Sequence, residues 1–131
     1  MELKFMYPLV RFLGYSDSSY TVRESVPFKV GSQDMVGKAD WVLWAKDFRS
    51  GQLKPRVIVE AKAPDVALHE DVKAQARSYA FALNAPYYLL ANARQLLLFK
   101  RGVESDECIL ACDVTELASR WPVLLAHIGP H

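Results

Sequence analysis

Residues 57–62 read Val-Ile-Val-Glu-Ala-Lys, an apolar run that ends in an acid, a small residue and a base. Side chains alternate faces along a strand, so Glu60 and Lys62 point the same way, roughly 6–7 Å apart. Val57, Val59 and Ala61 then share the opposite face, which suits a packed core. A carboxylate and an ammonium held together at the end of an apolar strand can form part of a reactive site. The plain alternative is a solvated ion pair at an exposed strand end, which contributes little. Upstream, residues 37–44 read Gly-Lys-Ala-Asp-Trp-Val-Leu-Trp and look like a second strand. Asp40 sits early in it, where a charge suits a buried strand poorly. Residues 45–55 between the two strands contain the turn formers Asp47, Ser50 and Gly51. The two strands are therefore expected to be antiparallel neighbours. In the right register Asp40 lies near Glu60, and two close carboxylates beside a lysine suit a divalent cation with oxygen ligands.

The elements that must position these residues follow from the rest of the chain. At 131 residues the chain reads as one domain, residues 1–131, long enough for a real core. Apolar residues make up 51% and charged residues 24%, a balance that argues against disorder. The net charge of +1 advertises no overall basic field, although a local basic groove is compatible with it. No apolar run approaches about 18 residues and no signal-peptide pattern opens the sequence, so the expectation is a soluble, cytoplasmic protein with no membrane role. Cys108 and Cys112, if on a strand, lie about 13 Å apart, too far for a disulfide. His69, His127 and His131 are scattered, so the cysteines read as reduced thiols and not as a zinc site.

Residues 2–14 have the apolar spacing of a helix, with Gly14 as its C-terminal cap and Pro8 predicting an irregular or late start. Residues 21–29 read as a strand in which Pro27 implies an edge position or a bulge, and residues 31–34 as a turn. Residues 68–84 form the best helix pattern, stopped by Asn84 and Pro86. Gln75 and Tyr79 share a face of it, and by spacing alone they read as a rim glutamine and a core aromatic. Residues 87–91 and 95–99 read as a β-hairpin around Asn92 and Ala93, and residues 109–114 as a further strand. Thr115 is a candidate cap for a last helix over 116–128, with Pro122 starting a fresh turn. The order helix, three strands, helix, three strands, helix implies an α/β fold, a central mixed sheet of about four to six strands flanked by helices.

Tyr7-Pro8-Leu9, Leu13-Gly14-Tyr15, Lys38-Ala39-Asp40, Glu60-Ala61-Lys62 and Gln75-Ala76-Arg77-Ser78-Tyr79-Ala80 together resemble the N-terminal nuclease domain of type I restriction enzyme R subunits. That domain belongs to the PD-(D/E)xK nuclease superfamily, and the resemblance covers roughly residues 2–100. It implies a restriction-endonuclease-like fold and a Mg²⁺- or Mn²⁺-dependent endonuclease acting on DNA. By this resemblance Asp40 and Glu60 are metal-binding acids, and the Ala61 carbonyl is a further ligand. Lys62 is the catalytic lysine, Gln75 the glutamine near the site, and Tyr79 its companion. Glu2 is a further candidate acid on the first helix. Ala39 departs from the family name, standing where proline would be. The chain has no Gly-x-x-x-x-Gly-Lys-Ser/Thr phosphate loop, so it reads as a free-standing relative, a fragment, or a domain whose motor or specificity partners lie on separate chains. A homodimer stays open. Two other readings stand beside the nuclease: a non-catalytic nucleic-acid-binding or assembly module on the same fold, and an unrelated α/β domain for a small anion in which Glu60 and Lys62 form a structural pair.

Overall fold

A computed structural model describes residues 2–16, 18–30 and 33–130. In chain order it contains α1 (Glu2–Leu13), β1 (Tyr20–Val30), β2 (Gln33–Lys46), β3 (Leu53–Ala61), α2 (Glu70–Leu83), β4 (Tyr87–Ala91), β5 (Gln95–Lys100), β6 (Glu107–Asp113), a 3₁₀ turn (Val114–Glu116) and α3 (Leu117–Ile128). The six strands form one mixed sheet in the order β1-β2-β3-β4-β5-β6. β3 and β4 are parallel, and α2 is the crossover that this pairing requires. The neighbours on either side pair antiparallel. This is the mixed, helix-flanked α/β sheet that the pattern predicts.

The two faces of the sheet carry two cores. Val57, Val59, Ala61, Leu89 and Ala91 pack with Leu9, Val10 and Leu13 of α1 and with Leu124 and Ile128 of α3. Ile58, Tyr88 and Leu90 pack with Val72, Ala76, Tyr79 and Ala80 of α2. Residues 57–61 and all of β4 are buried because the central strands are covered on both sides, which explains their continuous apolar runs.

Two helix ends are fixed by left-handed backbone. Gly14 has φ 107°, and the main-chain bonds Gly14 N–H to Arg11 O and Tyr15 N–H to Val10 O close α1 at 3.0 and 3.2 Å. Asn84, at φ 54°, ends α2 in the same way, with Ala85 N–H donating to Ala80 O.

Several local expectations are revised. α1 runs unbroken through Pro8. The lost hydrogen bond is outweighed by full burial of Leu9, Val10 and Leu13. Pro122 likewise lies inside α3 and starts no new turn, and Leu124 and Ile128 beyond it are fully buried. Thr115 is not the cap: it lies within the 3₁₀ turn, and Glu116 accepts the Asp113 N–H at 3.1 Å. β2 spans Gln33–Lys46 because it pairs with β1 along nearly its whole length, whatever the propensity of Asp34, Gly37 and Lys38. Gln33 and Asp34 therefore belong to the strand and not to a turn, while Gly31 and Ser32 lie outside the described residues. The β2–β3 turn shrinks to residues 47–52, and α2 begins at Glu70, not at Leu68. Pro27 falls on the edge strand β1, the first of the two positions its proline implied.

Candidate active site

The last ladder pair between β2 and β3 is Trp41 with Val59. One step further, Asp40 stands opposite Glu60. The Asp40 carboxylate turns towards the neighbouring strand and accepts the Ala61 N–H on Oδ2 at 2.9 Å. The strand β3 then ends against β4, with the Lys62 N–H donating to Ala91 O at 2.8 Å. Asp40, Glu60, the Ala61 main chain and Lys62 are thus brought to one point at the C-terminal end of β3. The Ala61 side chain points away, into the core beneath α1 and α3.

Glu60 is only 2% exposed. Its Oε1 is buried with no hydrogen-bond partner, and its Oε2 lies 4.0 Å from Lys62 Nζ. Burial, followed by the neighbouring Asp40 charge, pushes the Glu60 carboxyl up to about 8, while Lys62 pulls the other way. The metal-free site therefore favours a proton on Glu60 well above the usual carboxylate range. A cation between the two acids would replace that proton and satisfy the orphaned oxygen, so the donors present fit a divalent ion. Among the described residues no group of three or more His, Cys, Asp or Glu side chains gathers, so the protein side of such a site is two carboxylates and main chain.

Gln75 and Tyr79 lie on α2 and form a pair, Gln75 Nε2 to Tyr79 Oη at 3.1 Å. Gln75 is exposed, and no hydrogen bond joins it to Asp40, Glu60 or Lys62. Tyr79 is buried against β2: a Cβ added at Gly37 would collide with its hydroxyl and ring edge. Gly37 is therefore the residue that lets the α2 pair sit beside the strand carrying Asp40. A glycine inside a strand pattern is the sequence signal for such close approach. The Glu2 side chain lies outside what the structure describes.

Asn92 is a second residue that the sequence pattern reads only as a turn former. It is 4% exposed and hydrogen-bonded through both side-chain polar atoms: Nδ2 donates to Val66 O at 2.8 Å, and Oδ1 accepts the Arg94 and Gln95 N–H groups at 3.0 and 2.9 Å. It thereby ties residues 62–69, which leave the site and lead into α2, to the β4–β5 turn.

The fold agrees with what similarity to known proteins shows. Residues 3–111 match the family described as the type I restriction enzyme R protein N terminus, and the chain belongs to that family. A solved fragment of a chain described as an HsdR subunit of a type I restriction enzyme, from Vibrio vulnificus YJ016, is similar in fold. The TM-score is 0.55 at 19% identity, covering 82% of this chain and 21% of that one. The chain therefore spans about a fifth of the length of that relative. No curated protein matches it. No helix among the described residues is long and apolar enough to cross a membrane.

Proposed function

We propose that the chain is a metal-dependent DNA endonuclease domain of a restriction system, with the Asp40, Glu60 and Lys62 arrangement of the PD-(D/E)xK superfamily. The observation that carries this reading is Glu60: a buried carboxyl with an unpartnered oxygen, set against a second carboxylate and beside a lysine. A structural ion pair has no use for the second acid, which raises the cost of burying the first. Asp40, Glu60 and the Ala61 carbonyl would hold Mg²⁺ or Mn²⁺, which when bound supplies charge stabilisation at a phosphoryl oxygen and a more acidic water. Lys62 would orient the attacking water and offset negative charge as it develops on the phosphate. Asp40 has a second task, since its bond to the Ala61 N–H fixes the end of β3 on which Glu60 and Lys62 stand. Gln75 would contact a phosphate or the water once DNA is bound, released from its bond to Tyr79. The partners of such a domain are DNA and motor or specificity subunits on other chains.

The test is single-turnover DNA cleavage with Mg²⁺ or Mn²⁺. Lys62→Ala should lower the rate by about 10²–10³ while leaving metal binding in place, because its contact is made in the transition state. Asp40→Ala should lose both cleavage and the Mn²⁺-induced rise in melting temperature. Wild-type rates in Lys62→Ala would remove the lysine from the chemistry. Absence of cleavage by the wild type with every metal and DNA form would leave the binding module as the better reading.

A further inference from the structure

At the other end of β3 the chain gathers cations. Residues 46–56 read Lys-Asp-Phe-Arg-Ser-Gly-Gln-Leu-Lys-Pro-Arg, with Lys46, Arg49, Lys54 and Arg56 against Asp47 alone. The segment is net +3 in a chain of net +1, so everything else sums to −2. Asp47 is used up inside the turn: its Oδ2 accepts from Ser50 Oγ at 3.0 Å and lies 3.1 Å from Lys54 Nζ. Phe48 at the tip is fully exposed, in a protein that buries most of its large apolar side chains.

Arg56 is aimed by a break in the sheet. Leu43 pairs with Val57 but Trp44 pairs with Pro55, so Arg56 is the extra residue of a β-bulge. Such a bulge turns a side chain out of its expected alternation. Arg56 accordingly lies on the α3 side, with Nη2 donating to His127 O at 2.7 Å and the guanidinium 5.6 Å over the Tyr87 ring. Its Nε is buried and unpartnered, and no carboxylate among the described residues pairs with it. A half-buried cation without a counter-ion is costly unless an anion completes it. Beside it opens a cleft of about 850 Å³ bounded by Lys46, Phe48, Lys54, Arg56, Asn84 and Pro130.

We propose that this cleft and its hairpin bind the phosphate backbone of single-stranded DNA. Lys46 and Arg56 meet phosphate oxygens, and Phe48 stacks on an unpaired base. Local positive charge beside an exposed aromatic is the combination that binds single strands without sequence preference. The cleft lies about 13 Å along β3 from Glu60, so it is distinct from the acid site. The choice of DNA rests on the function proposed above; the anion-binding character does not.

The experiment is fluorescence anisotropy of a labelled single-stranded oligonucleotide with the whole chain in EDTA, where nothing is cleaved, over a range of salt. Phe48→Ala should weaken binding about tenfold. Lys46→Gln should lower the slope of log affinity against log salt by about 0.7. Both side chains are exposed, so both variants should melt with the wild type; Arg56→Gln, which also loses the His127 contact, serves only as a third variant. Affinity and slope unchanged in the Lys46→Gln, Phe48→Ala double variant overturn the proposal. So does wild type that prefers duplex of equal length, or that is stabilised by inorganic phosphate but ignores DNA. Wild type that binds through the hairpin and never cleaves removes the nuclease reading alone, and wild type that cleaves while the double variant binds equally removes this one alone.

Discussion

Glu60 couples stability to pH and, in the proposed metal site, to the cation. Its carboxyl titrates near 8 in the folded protein against an ordinary value of 4.5. The folded state therefore holds more protons than the unfolded state between these values, and metal-free stability must fall as pH rises from about 4.5 to about 8. The loss should be on the order of a few kcal/mol. Thermal melts in EDTA should show this slope, and Glu60→Gln should flatten it. Asp40→Asn should lower the Glu60 pKa, because the second cause of its elevation is the Asp40 charge. Mn²⁺ affinity should rise through the same window, since the cation displaces the proton. Calorimetry finding affinity indifferent to pH would exclude Glu60 as a ligand. Among the candidate residues, the convergence of Asp40, Glu60 and Lys62 was legible in the sequence because one periodicity and one turn suffice to bring them together: alternation along β3, and a turn that makes β2 its neighbour.

The site depends on elements whose fit the sequence records less openly. The helical period places Gln75 and Tyr79 on one face of α2 without saying how far that face stands from the acids, and Gln75 ends on Tyr79 instead. The Gly37 contact with Tyr79 is non-local, so strand reading alone cannot reach it. Gly37→Ala should cost about 1–3 kcal/mol, because the new methyl must displace a buried ring. Chemical denaturation measures this, and a double-mutant cycle with Tyr79→Ala should show strong coupling between the two positions. Neutrality of Gly37→Ala would mean that α2 can slide on the sheet. The Arg56 bulge was equally hidden, since residues 45–55 read as the loop between the two strands and only the pairing of β3 with β2 reveals the extra residue. Pro8 and Pro122 misled for the opposite reason: the local rule is sound, but the packing of α1 and α3 outweighs it.

Across the whole molecule, the order of elements and a mixed sheet flanked by helices were readable, and Pro27 narrowed β1 to an edge position or a bulge; the α2 crossover emerges only once β3 and β4 are seen to be parallel. The full length of β2 was not readable, because it is set by a partner strand and not by its own residues. The edge has a further consequence for self-association. Pro27 lies in the β1–β2 ladder opposite Val36, and as proline it has no N–H to offer on either side. A strand arriving from another molecule to extend the sheet at β1 would therefore find a missing donor in mid-edge. Pro27→Ala should restore that donor and increase aggregation on partial unfolding, seen as light scattering at temperatures just below the melt. Proline at this position would thus act as a gatekeeper at the β1 edge, opposing extension of the sheet there into an intermolecular one.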